Sequence, residues 1–143
     1  MSGLYDADIL AWSERQATLL RRMAAGERVN DHDLDWPNII EEVESVGNAQ
    51  LHAVESLLVQ LLIHRLKLMA WPDALAVRGW QKEVRVFGLQ LRRRFAPSMR
   101  QRIDLAGLYE EAVLSLPDEI DSRPPLPVPA ACPFTLDGLL ADD

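Results

Sequence analysis

The stretch from Ile39 to Trp71 constrains the fold of this chain more than any other. It carries the longest nearly uninterrupted helical pattern. Its second half, Ser56-Leu-Leu-Val-Gln-Leu-Leu-Ile-His-Arg-Leu-Lys, is the most apolar part of the sequence. On a helical wheel Val54, Leu57, Leu58, Leu61, Leu62 and Leu68 share one broad face, while Val59, Ile63 and Leu66 lie to another side. A helix that is apolar in two directions has to be covered from two directions. Gly47-Asn48 interrupts the pattern, because Gly can end a helix and Asn can start one. An unbroken helix from Trp36 to Ala70 would be about 50 Å long, longer than a small domain is wide. A break or kink near Gly47 is therefore expected, with Pro72 and Asp73 stopping the second piece.

Shorter amphipathic helices are expected around it. Asp6 is placed as an N-cap, with Tyr5 and Leu10 forming a hydrophobic staple across it. Ile9, Trp12, Gln16, Leu20 and Met23 then follow helical spacing, Arg21 and Arg22 suit the last turn, and Gly26 supplies a left-handed cap. After a polar loop from Gly26 to Asp35, Asp35 or Trp36 caps the next helix and Pro37 is tolerated in its first turn. Glu41, Glu42 and Glu44 there read as dipole compensation and solvated surface. Trp80, Val84, Phe87, Leu91 and Phe95 form the apolar stripe of a third helix, opposite Lys82, Arg85, Arg92 and Arg93. Ser98 is placed to cap a fourth, carrying Ile103, Ala106, Tyr109, Ala112, Val113 and Leu116. Residues 118–134 are too rich in proline for a helix or central strand and are expected as an extended strap. Thr135 then caps a short terminal helix, with Phe134 and Leu139 as its staple.

The reading is all-α: a single domain over 1–143, an irregular bundle of four to five main helices closed by the strap and the short helix. With 143 residues, 48% of them hydrophobic, the chain suits one core of ordinary size. A formal charge of −7 argues against binding nucleic acid or anionic membranes over the whole surface. The total hides an asymmetry, since residues 78–102 carry eight basic residues and one acidic residue, Glu83. The expected use of that basic segment is internal, among acidic helices. The single cysteine, Cys132, excludes an intramolecular disulfide and a cysteine-based zinc site. No signal peptide is read at the N-terminus, and no apolar run reaches the roughly 18 residues of a membrane span. A cytoplasmic location is expected.

Several motifs, in order and at fitting intervals, carry a family resemblance. They are Tyr5-x-x-Asp8…Trp12…Gln16, Ile39-Ile-Glu-Glu-Val-Glu-Ser-Val-Gly47, Leu61-Leu-Ile-His64-x-Leu66-Lys67, Arg78-Gly-Trp80 and Cys132-Pro-Phe-Thr-Leu-Asp-x-Leu-Leu. Over almost its whole length the chain resembles the bacterial domain-of-unknown-function family numbered 29. The resemblance implies a small, all-helical protein and implies no activity. The chain departs from the family pattern where Arg65 stands for the usual Leu and Leu68 for the usual Trp, and its loop from Gly26 to Asp35 is slightly long. Trp71, one turn on, is placed to fill the space of a Trp at 68.

Catalytic signatures are missing. There is no Gly-x-Ser-x-Gly elbow with a strand to hold it and no phosphate-cradling glycine loop. A di-iron bundle needs Glu-x-x-His on two helices, and the chain offers only the reversed His52-x-x-Glu55, so neither metal nor cofactor is expected. The polar candidates are His64, Arg65 and Lys67 at the edge of the long helix's apolar stripe, with Arg78 and Trp80 from the next segment. They read either as a small ligand pocket or as residues hydrogen-bonded or snorkelling at a helix–helix contact, and the second reading is preferred. The leading functional expectation is a non-catalytic module that associates with itself or with another protein. Ligand binding or catalysis near His64 and Lys67 is the alternative. Nucleic-acid binding through 78–102 is a further one, weakened because the aromatics of that helix are expected to be buried.

Overall fold

A computed structural model describes residues 3–141. Six α-helices are present: α1 (Gly3–Ala7), α2 (Ile9–Ala24), α3 (Trp36–Ala70), α4 (Val77–Arg94), α5 (Leu105–Leu114) and α6 (Leu136–Leu140). Short 3-10 turns lie at Asp31–Asp33 and Pro97–Met99. Among the described residues the only β-type pairing is an isolated bridge between Ile120 and Arg123. No helix of the described residues is long and apolar enough to cross a membrane. The chain divides into two compact units, residues 1–48 and 49–143.

In the first unit α2 is capped at both ends by its own sequence. Its N-cap is Asp8, whose carboxylate accepts from the Ala11 amide at 3.0 Å, rather than Asp6. Asp6 belongs instead to the separate turn of α1, and Leu10 points to solvent, so the expected staple is not made. The C-terminal end is as expected. Gly26 takes a φ of +86°, its amide reaches the Met23 carbonyl, and the Glu27 amide reaches back to Arg22. Those two bonds satisfy carbonyls that the helix end would leave open.

α3 runs without a break through Gly47, contrary to the expected division there. Among the described glycines only Gly26 has a positive φ, so Gly47 forms no left-handed cap. One glycine in a helix interior costs about 1 kcal/mol, which a helix of this length offsets through its remaining bonds and packing. The length objection assumed a single core, whereas the chain has two compact units and α3 contributes residues to each.

The second unit is built on the apolar half of α3. Val54, Leu58, Leu61, Leu62 and Leu66 are essentially inaccessible and pack with Leu91 of α4, Tyr109 and Ala112 of α5, and Leu139 of α6. Val59 and Ile63 are buried as well, so the helix is covered from both of its apolar sides. At about 1.5–3 kcal/mol per fully buried Leu or Val, this cluster is the main stabilising term of the unit. A second cluster, Ala70, Trp71 and Trp80, closes the end of α3 beside Leu68 and Val128. α5 starts later than expected. Its cap is Asp104, which accepts from the Gly107 amide at 3.1 Å, while Ser98 sits in the preceding 3-10 turn.

From Arg123 onward the proline-rich strap is extended and is tied down by three hydrogen bonds. The Leu126 amide donates to the Ala70 carbonyl at 2.9 Å, the Trp71 indole donates to the Arg123 carbonyl at 2.9 Å, and the Tyr109 hydroxyl donates to the Pro129 carbonyl. The first bond caps a carbonyl that α3 would otherwise leave open. Thr135 caps α6 through the Gly138 amide at 3.0 Å, and Phe134, Leu136, Leu139 and Leu140 pack inward as expected.

Because α3 is continuous, Gly47→Ala should stabilise the protein by about 1 kcal/mol, with nothing near the added methyl to clash. Gly26→Ala should destabilise by about 1–2 kcal/mol, since its left-handed backbone disfavours a Cβ. Urea unfolding of the two variants beside the parent checks both signs.

Candidate functional site

The polar candidates at the end of α3 lie against aromatic rings. His64 packs beside Phe87 of α4 with ring centroids 5.3 Å apart, and its Nδ1 lies 2.7 Å from the Gln60 carbonyl. Lys67 places its ammonium 5.7 Å from the centre of the Trp80 ring. Arg65 holds its guanidinium 5.7 Å from the Phe134 ring, just before α6. All three are half-buried. Their hydrocarbon stems cover apolar surface while the polar heads meet the ring faces or edges. Trp80 is buried, but Arg78, two residues earlier, is exposed on the opposite side of α4. The structure therefore brings Lys67 to Trp80 and His64 to Phe87 and leaves Arg78 apart.

A hollow of about 290 Å³ lies where the strap crosses the end of α3, lined by Trp71, Asp73, Leu75, Ile120, Asp121 and Arg123 among others. Its rim is a two-residue turn in which both Asp121 (φ 52°) and Ser122 (φ 62°) adopt the left-handed conformation. Such turns usually carry Asn or Gly, so this one is strained. The Asp121 carboxylate accepts from the Leu75 amide at 2.9 Å, which fixes the turn against the α3–α4 connection.

The richest polar constellation lies in the first unit, and no candidate chosen from the sequence belongs to it. The Tyr5 hydroxyl donates to the Glu42 carboxylate, and the Tyr5 ring meets Trp12 edge to face at 4.8 Å. The Trp12 indole donates to Asp35 at 2.9 Å, and the Asn38 side chain donates to the same oxygen at 2.8 Å. Gln16, buried, uses both ends of its amide: its nitrogen reaches the Asp33 carbonyl at 3.3 Å and its oxygen accepts from the Asp35 amide at 2.9 Å. Tyr5, Trp12, Gln16, Asp33 and Asp35 border an open cleft of about 520 Å³ with Arg15 and His32 at its rim. The signal for them was in the sequence, as two polar-capable residues, Trp12 and Gln16, one turn apart on the apolar face of α2 and facing an acidic loop. A buried amide or indole needs a partner, and that loop supplies three.

Electrostatics agree with a structural network. The Glu42 carboxylate beside it, with some burial, pushes the Tyr5 phenol up from 10.0 to about 12. The Asn38 amide, and after it the Trp12 indole, hold the Asp35 carboxyl below its usual range against the opposing effect of burial. Burial raises Tyr109 as well. Each donor in the Tyr5–Trp12–Gln16 set already has its acceptor, so the arrangement positions the loop and orders the start of α3. Among the described residues no three His, Cys, Asp or Glu side chains converge as metal ligands.

The signs give a testable pH dependence. A raised tyrosine contributes stability below its unfolded value and loses that contribution as the pH climbs from about 10 to about 12. Ultraviolet titration of tyrosinate should therefore show little ionisation at pH 10. Tyr5→Phe should remove one of two equivalents, and Glu42→Ala should return the Tyr5 transition toward 10. Tyr5, identified by its loss in Tyr5→Phe, titrating at its ordinary value in the parent protein would contradict the Tyr5–Glu42 bond.

No curated protein matches the chain. Among solved structures, it is similar to an alpha-helical protein of unknown function from Rhodospirillum rubrum, with 30% identity, a TM-score of 0.70, and coverage of 97% of this chain and 90% of that one. The family described as domain of unknown function DUF29 matches residues 4–143, which takes in both compact units and every motif that carried the resemblance. The chain belongs to the DUF29 family.

Proposed function

We propose that this protein is a non-catalytic association module that binds a protein surface, its own or another's, through the first half of α3. One observation carries the reading. Trp36, Ile40, Val43 and Val46 recur at helical spacing and are 39%, 54%, 70% and 68% exposed. Scattered apolar residues on a surface are ordinary, but a contiguous stripe along one helix face marks an interaction site. Trp36 is also the one exposed tryptophan of the four, and tryptophan is enriched at interface hot spots.

The first unit supports this further by what it lacks. Among its described residues only Trp12, Gln16, Leu19 and Leu34 are buried. So small a core supplies little hydrophobic stabilisation, and covering the exposed face of α3 would add to it. A cytoplasmic location is part of the proposal, and a single cysteine in 143 residues fits a reducing compartment. Ligand binding or catalysis around His64 and Lys67 has less support, since both lie along aromatic rings of α4 and Arg78 points elsewhere. Nucleic-acid binding gains exposed cations on α4 but no stacking surface, because Trp80 is buried and Phe87 and Phe95 are half-buried.

Val43→Asp places a charge in the middle of the stripe without touching a buried residue. Light scattering over a range of concentrations should show the parent protein associating, or capturing a partner, and the variant weakened by about tenfold or more with an unchanged helical circular dichroism spectrum. A parent that stays monomeric and captures no protein would overturn the reading.

A further inference from the structure

We propose that the occupant of this face is a second copy of the same chain, with the stripe of Ile40, Val43 and Val46 on α3 of one copy seated against the outward, basic face of α4 in the other. The proposal rests on the association reading above and adds to it the identity and the surface of the partner.

The outward face of α4 has the composition such a contact needs. Val86 and Leu89 are 37% and 44% exposed, on the side of the helix opposite Trp80, Val84 and Leu91. Arg78, Lys82, Arg85 and Arg93 ring them, all exposed, and among the described residues none of the four makes an ion pair. The sequence suggested that this basic segment would be neutralised inside the fold by acidic helices; the structure pairs Arg100 with Asp137 at 2.8 Å but leaves Arg78, Lys82, Arg85 and Arg93 in solvent. The first half of α3 is its complement in both respects. Its stripe is apolar, and Glu41 and Glu44 flank it, exposed and without ion pairs among the described residues. The whole first unit carries ten acidic residues against four basic ones.

Charge selects this pairing over its rivals. An α3–α3 contact between copies would bring Glu41 and Glu44 onto their own counterparts, and an α4–α4 contact would do the same with four cations. Like charges across an interface cost several kcal/mol, whereas opposite charges around an apolar centre steer and register the contact. A nucleic acid would meet the cations but leave Val86, Leu89 and the whole α3 stripe uncovered.

Charge exchange tests it. Glu41→Lys with Glu44→Lys should weaken self-association by about tenfold or more, and Lys82→Glu with Arg93→Glu should do the same. The chain carrying all four changes should associate again, within about threefold of the parent, because the complement is restored in mirror form. All the altered side chains are exposed, and circular dichroism checks that each variant is folded. A second route needs no charge reversal. With Cys132→Ser in both chains, a Val43→Cys copy mixed with a Leu89→Cys copy should form mixed disulfide-linked dimers in preference to either copy alone.

The outcomes separate the two claims. A parent monomeric at every concentration overturns self-association and this contact together. An associating parent that Glu41→Lys with Glu44→Lys strengthens, that neither pair affects, or whose four-change variant stays dissociated while folded, overturns the α3–α4 contact alone. Preferential Val43→Cys self-linkage would do so as well.

Discussion

Two-sided cover of the apolar half of α3 is the constraint on which the larger unit depends. A helix with hydrocarbon on one stripe can rest on a single neighbour, but Val59 and Ile63 turn away from Leu58 and Leu62 and need cover of their own. α4, α5 and α6 and the strap supply it. The same demand accounts for the treatment of the polar residues at the end of the helix. His64, Arg65 and Lys67 interrupt an otherwise apolar surface, and each is laid against a ring, Phe87, Phe134 and Trp80 respectively. An aromatic ring covers the apolar stem and still offers the cation a favourable face, so polar residues are accommodated without burying a bare charge.

The first unit is held by different means. With only a few residues buried, it relies on directed bonds: Tyr5 to Glu42, Trp12 to Asp35, and Gln16 to the backbone of Asp33 and Asp35. Partly buried polar bonds of this kind fix geometry well, because leaving any one member unpaired costs more than the bond itself gains. The family motif residues Tyr5, Asp8, Trp12 and Gln16 are thus explained as capping and loop-fixing residues. On α3 of the same unit Ile40, Val43 and Val46 remain exposed.

Legibility in the sequence followed the range of the interaction involved. Gly26 as a helix stop, Thr135 as a cap and the inward packing of Phe134 and Leu139 around it were all readable, since each is settled within six residues. Two caps were misplaced, Asp6 for Asp8 and Ser98 for Asp104, because neighbouring residues of equal capping ability compete and tertiary packing chooses between them. Gly47 was misjudged for a related reason. Propensity and length argued for a break, and the length argument assumed one core. Among the polar candidates His64, Arg65, Lys67 and Trp80 do meet aromatic neighbours, but Arg78 does not join them, and the Tyr5–Trp12–Gln16 network was not foreseen. The partners of Trp12 and Gln16 lie in a loop 17 to 23 residues away and that of Tyr5 on α3, 37 residues away, and no local pattern brings them together.

The sequence by itself determined the class of the fold, the family, the two-sided burial of α3 and the proline strap, because periodicity, proline and capping chemistry act locally and leave few choices. Only the tertiary structure decided that α3 is continuous, that Arg78, Lys82, Arg85 and Arg93 of α4 face outward, and that the stripe from Trp36 to Val46 is left open to solvent. An apolar or charged residue carries the same pattern whether its partner lies within the chain or in another molecule. Three-dimensional packing alone shows which faces the chain has already covered, and which it leaves in solvent.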